Sequence, residues 1–188
     1  MRKDNGAMSD LALAEFEFMQ KNELNALRKV IDDLSPGSVC VNIGAGKGIS
    51  GSAFIESDTV GKLYTVDIFE NAGQNWVGNL ENEIILFSRF GYDKDPRYTQ
   101  ILGDSTNIGK TWNREKIDML FLDADHSYAH TYMNILMWLP HIKQGGIFSF
   151  HDFHEPLYPG VEQAATELLV NKYEMISFDP TFAAFRIR

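Results

Sequence analysis

The sequence predicts an α/β protein, a mostly parallel sheet with helices on both faces, and three observations point to it. Short apolar runs of strand character alternate with segments of helical period along the 188 residues, the pattern of repeated strand–helix–strand units. The first run, "SVCVNI" at 38–43, opens into "GAGKG", three glycines in five positions. The later runs end in carboxylates or histidine, at Asp67, Asp104, Asp123 with Asp125, and His151 with Asp152. In open parallel sheets ligands sit over the carboxyl ends of the strands, so polar residues collected there are candidates for binding or chemistry.

Residues 1–8 are polar and expected to be disordered. From 9 to 34 apolar residues recur at helical spacing, among them Leu11, Leu24, Leu27, Val30, Ile31 and Leu34, until "SPG" at 35–37 stops the pattern. One or two helices therefore precede a core over 35–188. Within it the pattern predicts strand 38–43, helix 48–56, strand "GKLYTVDI" at 61–68 and a polar helical region at 71–91. Then follow "YTQILGD" (98–104), a short helix at 106–113, "KIDMLFLDAD" (116–125) and a helix at 126–139. The chain closes with "GGIFSFHD" (145–152), a helix at 160–171 and strands near 173–178 and 182–188. The stretch "WVGNLENEIILFSRFGYDKDPRY" is longer than a simple crossover needs and is a candidate lid or acceptor wall.

No linker interrupts the chain, and its length suits one domain, 1–188. The formal charge of -9 repels phosphate backbones and argues against nucleic acid as a partner. Cys40, the one cysteine, has no internal disulfide partner and lies in an apolar strand pattern, where a thiol packs as a small hydrophobe. With no leader-like segment and no apolar run near the roughly 18 residues of a membrane span, the expectation is a cytoplasmic protein without membrane contact. The helices before residue 35 are a candidate homodimer surface.

Asp67 lies 21 residues after Gly46, the usual distance for an acidic residue that holds a ribose hydroxyl. A dinucleotide fingerprint would place a third glycine at 49, where the chain has Ile, and Lys47 is not followed by Ser or Thr as a P-loop requires. Asp104, followed by Ser and Thr, serves equally well as a helix N-cap.

In "VNIGAGKG", "LYTVD", "ILGDS", "IDMLFLDADHSY" and "HIKQGGIFSFHDF" the chain resembles the class I S-adenosylmethionine-dependent methyltransferases over residues 35–188. Within that class it is similar to small bacterial enzymes grouped with sugar, macrolide and cephalosporin-type O-methyltransferases. The resemblance implies a Rossmann-like seven-stranded sheet of order 3-2-1-4-5-7-6 whose last strand is antiparallel. It implies S-adenosylmethionine as cofactor, contacted by Asn42, Gly44, Ala45, Gly46 and Gly48, by Asp67 and Ile68, by Asp104 and Ser105, and by Asp123. It also implies a divalent metal, Mg or Mn, on Asp123, His151 and Asp152, and a base at Asp125 or His126. His126 is favoured because imidazole accepts a proton near neutral pH. Two departures stand out: Asn42 replaces a usual acidic residue, and His151 begins a pair that is usually carboxylate. A nitrogen ligand suits Mn, Fe or Zn better than Mg; otherwise His151 is itself a base or a hydrogen-bond donor. His154 is a candidate acceptor-pocket residue, His130 reads as solvated surface and His141 as structural.

The expected activity is methyl transfer to a hydroxyl of a small acceptor, a sugar or natural-product-like molecule. The alternatives are an NAD(P)-dependent oxidoreductase, disfavoured by the glycine spacing, and a cofactor-binding module without turnover.

Overall fold

The computed structural model describes residues 8–16, 19–68, 87–88 and 91–188. Two helices, α1 (Met8–Phe16) and α2 (Lys21–Asp32), precede the sheet. Leu24, Leu27, Val30 and Ile31 form the buried stripe of α2, and a capping box between Gln20 and Glu23 satisfies amides that the first helical turn leaves open. The chain then alternates: β1 (Ser38–Ile43), α3 (Ile49–Glu56), β2 (Val60–Asp67), β3 (Tyr98–Leu102), α4 (Ser105–Lys110), β4 (Ile117–Leu122), α5 (Tyr128–Trp138), β5 (Ile142–His151) and α6 (Pro159–Ala165). The last helix runs on as a π-helical turn, Thr166–Val170, before β6 (Glu174–Asp179) and β7 (Phe182–Arg186).

The seven strands stand in the order β3-β2-β1-β4-β5-β7-β6. The first five are parallel, and β7 runs antiparallel to both β5 and β6. Side-chain alternation divides the core into two layers. Cys40, Met119 and Phe121 pack with Ala12, Leu24, Leu27, Ile31 and Phe54 from α1, α2 and α3. Val41, Leu120, Phe148 and Phe150 pack with Ile135, Trp138, Val161 and Ala164 from α5 and α6. The helices before residue 35 thus cover one face of the chain's own sheet. Among the described residues no helix is long and apolar enough to cross a membrane.

The expected strands are found within a few residues. β5 starts three residues earlier than read, at Ile142, because the ladder slips between Ile117 and Met119 of β4. The Gly145-Gly146 pair, which reads as a turn, absorbs that irregularity within a strand. The expected helical region at 71–91 and the candidate lid fall largely outside the described residues; of the latter, Phe87 is buried against Tyr98 with ring centroids 4.6 Å apart.

Register positions the site. Ile43 pairs with Leu122, and Leu122 with Phe150. The next residue along each strand is Gly44, Asp123 and His151, and all three meet where the sheet order turns from β1 to β4.

Candidate active site

A cavity of about 660 Å³ opens over these strand ends, and Gly44, Ala45, Gly46, Asp67, Asp104 and Ser105 are among the residues that line it. Gly44 is required by its neighbour: at φ 92° a Cβ would lie 1.7 Å from the Asp123 carbonyl oxygen, so only glycine lets the turn pass the end of β4. The Ala45 amide donates to Asp67 Oδ2 at 2.6 Å, which ties the glycine turn to the end of β2. Ile68 also lines the cavity. Asp104 caps α4, accepting from the Asn107 amide at 2.9 Å and from the Thr106 hydroxyl at 2.5 Å, and the Thr106 contact foremost holds its carboxyl below the ordinary range. Its capping and cavity-lining roles therefore coexist. The buried Ser105 hydroxyl beside it has no hydrogen-bonding partner among the described residues.

Two of the expected cofactor contacts are not among the residues that line the cavity. Gly48 is not among the cavity-lining residues; at φ 81° it is the left-handed residue that turns the chain into α3. Asn42 does not line the cavity either, because strand alternation turns its side chain into the α1–α3 face of the sheet. There it is fully buried across the β1–β2 ladder from Thr65, and among the described residues neither its amide atoms nor the Thr65 hydroxyl has a hydrogen-bonding partner.

At the other side of the cavity four titratable groups converge. His126 Nε2 lies 2.9 Å from Asp152 Oδ2 and 3.3 Å from Asp123 Oδ1. His151 Nδ1 lies 2.8 Å from Asp152 Oδ2 and 3.3 Å from Asp123 Oδ1. Asp152 has φ 53° and is the one non-glycine residue with positive φ among the described residues. Such backbone strain clusters at functional sites. Burial opposes the charges of all four groups, but mutual contact outweighs it: Asp123, through His151 and His126, and Asp152, through His126 and His151, are held below the ordinary carboxylate range. Against the same opposition from burial, contacts with Asp123 and Asp152 push His126 up to about 9, and His151 is raised as well, by Asp123 foremost. In this arrangement His126 carries a proton at neutral pH, where an unshifted imidazole would be neutral.

One oxygen or ring nitrogen from each of Asp123, His126, His151 and Asp152 falls within 4.8 Å of all the others. Two carboxylates and two imidazoles are a donor set for Mn, Fe or Zn more than for Mg, so the residues fit a divalent metal. The three ligands expected from the sequence are brought together, and His126 joins them. Asp125 lines the cavity, but its Oδ1 accepts from the Ser127 amide at 2.7 Å, a contact that braces the β4–α5 turn, and the Ser127 hydroxyl foremost lowers its pKa.

His130 is no solvated surface residue: it lines the cavity, 3.4 Å from Asp104. His154 is instead exposed, paired with Glu162 at 2.8 Å and absent from the lining. His141 reaches the Gly109 carbonyl at 2.9 Å, as a structural residue would. Sequence reasoning missed Tyr158, whose ring stacks on His126 with centroids 4.4 Å apart. A Cβ at Gly160 would meet the Tyr128 amide nitrogen at 2.3 Å, so this glycine lets the start of α6 press against the β4–α5 turn and carries Tyr158 onto the imidazole. The "YPG" punctuation at 158–160 was the available signal. Glu23 was missed as well; its only sequence signal is that of a helix cap.

Residues 41–153 match a family described as methyltransferase domain. An uncharacterized protein, R132, of Acanthamoeba polyphaga mimivirus is 25% identical over 172 residues, 85% of this chain and 71% of its own. Among solved structures, the Podospora anserina methyltransferase PaMTH1 with bound S-adenosylhomocysteine superposes with TM-score 0.71 at 14% identity, covering 96% of this chain and 86% of that one. CalS11, a TDP-rhamnose 3'-O-methyltransferase of calicheamicin biosynthesis, gives TM-score 0.62 at 16% identity, covering 97% and 88%.

Proposed function

From the premise that the chain belongs to the methyltransferase domain family, with the class I fold that depends on S-adenosylmethionine, we propose that it methylates a hydroxyl group of a small molecule with the help of a divalent metal. The carrying observation is the convergence of Asp123, His126, His151 and Asp152 in the cavity that the glycine turn lines. A module that only held a cofactor would have no use for four mutually charged groups there, since burying them costs free energy that only function repays.

S-Adenosylmethionine, when bound, supplies a methyl group on a sulfonium, and a dication lowers the pKa of a hydroxyl beside it. Everything else falls to the chain. The Ala45–Asp67 contact fixes the turn and the ribose-side carboxylate together, and Ser105 lines the cavity beside them. Asp123, His151 and Asp152 would hold the metal. With both carboxylates engaged in that way, His126 would be free to take the acceptor's proton at Nε2, with Tyr158 stacked behind it. In-line displacement gains most of its rate from alignment, and these side chains rise from strand ends whose register is fixed. A cavity of about 660 Å³ is of a size that takes the cofactor together with a small acceptor. The activity in the name of CalS11 makes nucleotide-linked and free sugars the first acceptors to try.

The test is an acceptor screen read by S-adenosylhomocysteine release, run on the wild type and on His126→Ala and Asp152→Ala. Turnover of an acceptor is expected to fall by about 100-fold or more in both variants, with S-adenosylmethionine affinity by titration calorimetry changed less than about twofold. Rates left intact by both substitutions would sink the assignment.

A further inference from the structure

Behind the four-residue cluster lies a carboxylate that the mechanism above does not use. Glu23, in the first turn of α2, is 2% exposed. One of its oxygens, Oε2, accepts the Gln20 amide at 2.6 Å and closes the capping box. The other, Oε1, faces His151 Nε2 at 3.3 Å. Neither of these two atoms has a hydrogen-bonding partner elsewhere among the described residues. A glutamate this deeply buried is retained where it has a charged or donating partner, and capping alone would be served by a glutamine.

The two nitrogens of His151 therefore have different surroundings. Nδ1 is turned toward Asp123 and Asp152, and Nε2 is turned toward a helix on the sheet's opposite flank. The ring is 7% exposed, with Phe121 edge-on at 6.3 Å. Histidines that bind metals commonly donate their second N–H to a carboxylate, which fixes the tautomer and the ring plane. A separation of 3.3 Å is long for such a bond, as is common before a site is loaded.

We propose that Glu23 is a positioning residue for His151: its Oε1 takes the Nε2–H, so that Nδ1 presents its lone pair to a metal held with Asp123 and Asp152, and the site prefers a nitrogen-tolerant dication such as Mn over Mg. The proposal rests on the metal reading above. It explains why the pair at the end of β5 begins with histidine, because a carboxylate at 151 would face Glu23 with like charge.

The test uses the full chain, with Mn, Mg and Co(II) as probes. Wild-type protein is titrated by calorimetry, and the Co(II) visible spectrum reports nitrogen ligation. In Glu23→Gln the amide oxygen keeps the Gln20 cap and its NH₂ faces Nε2, which favours the tautomer with the proton on Nδ1. Mn affinity is then expected to fall by about 10- to 100-fold, the Co(II) bands to shift with the loss of one nitrogen ligand, and S-adenosylmethionine affinity to stay within about twofold. Equal Mn affinity in wild type and variant, with unchanged Co(II) bands, would leave Glu23 as a helix cap and overturn the proposal. Absence of Mn and Co(II) binding to the wild type would overturn the metal reading beneath it. Should Glu23→Gln disturb the fold, His151→Asn gives an independent measure. The wild-type preference for Mn over Mg collapses in that variant if Nδ1 is a ligand, and its persistence would overturn the proposal. Where both variants fold, the double variant separates the roles: if Glu23 acts through His151 the two effects are non-additive, whereas a structural effect adds.

Discussion

At the scale of single residues, Gly44 shows how a binding motif and a packing constraint occupy one position. Its place in the glycine turn suggests ligand approach, yet its nearest demand is steric, since a Cβ would sit 1.7 Å from the backbone of Asp123. Gly44→Ala is expected to cost about 2–5 kcal/mol, from overpacking against backbone that cannot yield and from a positive φ. Urea unfolding measures it, and a loss below about 1 kcal/mol would mean that the two strand ends move apart easily. The same variant should disturb Asp123, so cofactor and metal binding should weaken with stability. Asp123, His151 and Asp152 were legible in the sequence because strand alternation runs straight into them. That Asn42 and Gly48 stay out of the cavity lining was not legible, because a motif names residues without saying which face of the strand, or which side of the turn, each one takes.

At the scale of elements, the α3–β2 corner depends on a side chain from the segment before β3. Arg97 donates through Nη1 to the Ser57 and Val60 carbonyls, both at 3.1 Å, and through Nη2 to Ile55 at 2.8 Å. Asp95 holds the guanidinium with contacts from 2.8 to 3.2 Å. Arg97→Lys keeps the charge but loses the planar fork that serves three carbonyls, and is expected to cost about 1–3 kcal/mol in unfolding experiments at pH 7. The Arg97 contact also lowers the Asp95 pKa in the folded state. A depressed carboxylate stabilises the fold above its unfolded pKa of about 3.9 and loses that contribution as pH falls through its folded value. Stability of the wild type should therefore fall more steeply than that of Asp95→Asn between about pH 4 and pH 2. Parallel slopes would remove Asp95 from the account of acid sensitivity. None of this clamp was readable beforehand, because its acceptors are backbone carbonyls, which carry no residue identity.

At the scale of the whole molecule, the alternation of strands and helices was legible because each strand is a short apolar run bounded by turn residues. The order of the sheet came from the resemblance rather than from periodicity, and the Glu23–His151 contact came from neither. Its two residues lie on α2 and on the fifth strand, and only the folded sheet, with α2 laid across it, brings them within 3.3 Å. The same sheet order leaves the choice of cofactor to the turn itself, since β1 and β4 part at the glycine turn, where either S-adenosylmethionine or a dinucleotide would bind. At the position of the third dinucleotide glycine, Ile49 is 5% exposed in the first turn of α3, so its side chain is built into the core where close approach to a second phosphate would require none. A ligand at about 100 times its Kd stabilises the native state by about 2.7 kcal/mol, and at this chain length each kcal/mol raises the Tm by about 2–4 °C. S-Adenosylmethionine should accordingly raise the Tm by about 5–10 °C, NAD by less than about 1 °C, and Asp67→Ala should abolish most of the first shift. A larger shift with NAD would hand the glycine turn to a dinucleotide and turn the cluster at Asp123 and His151 toward hydride chemistry.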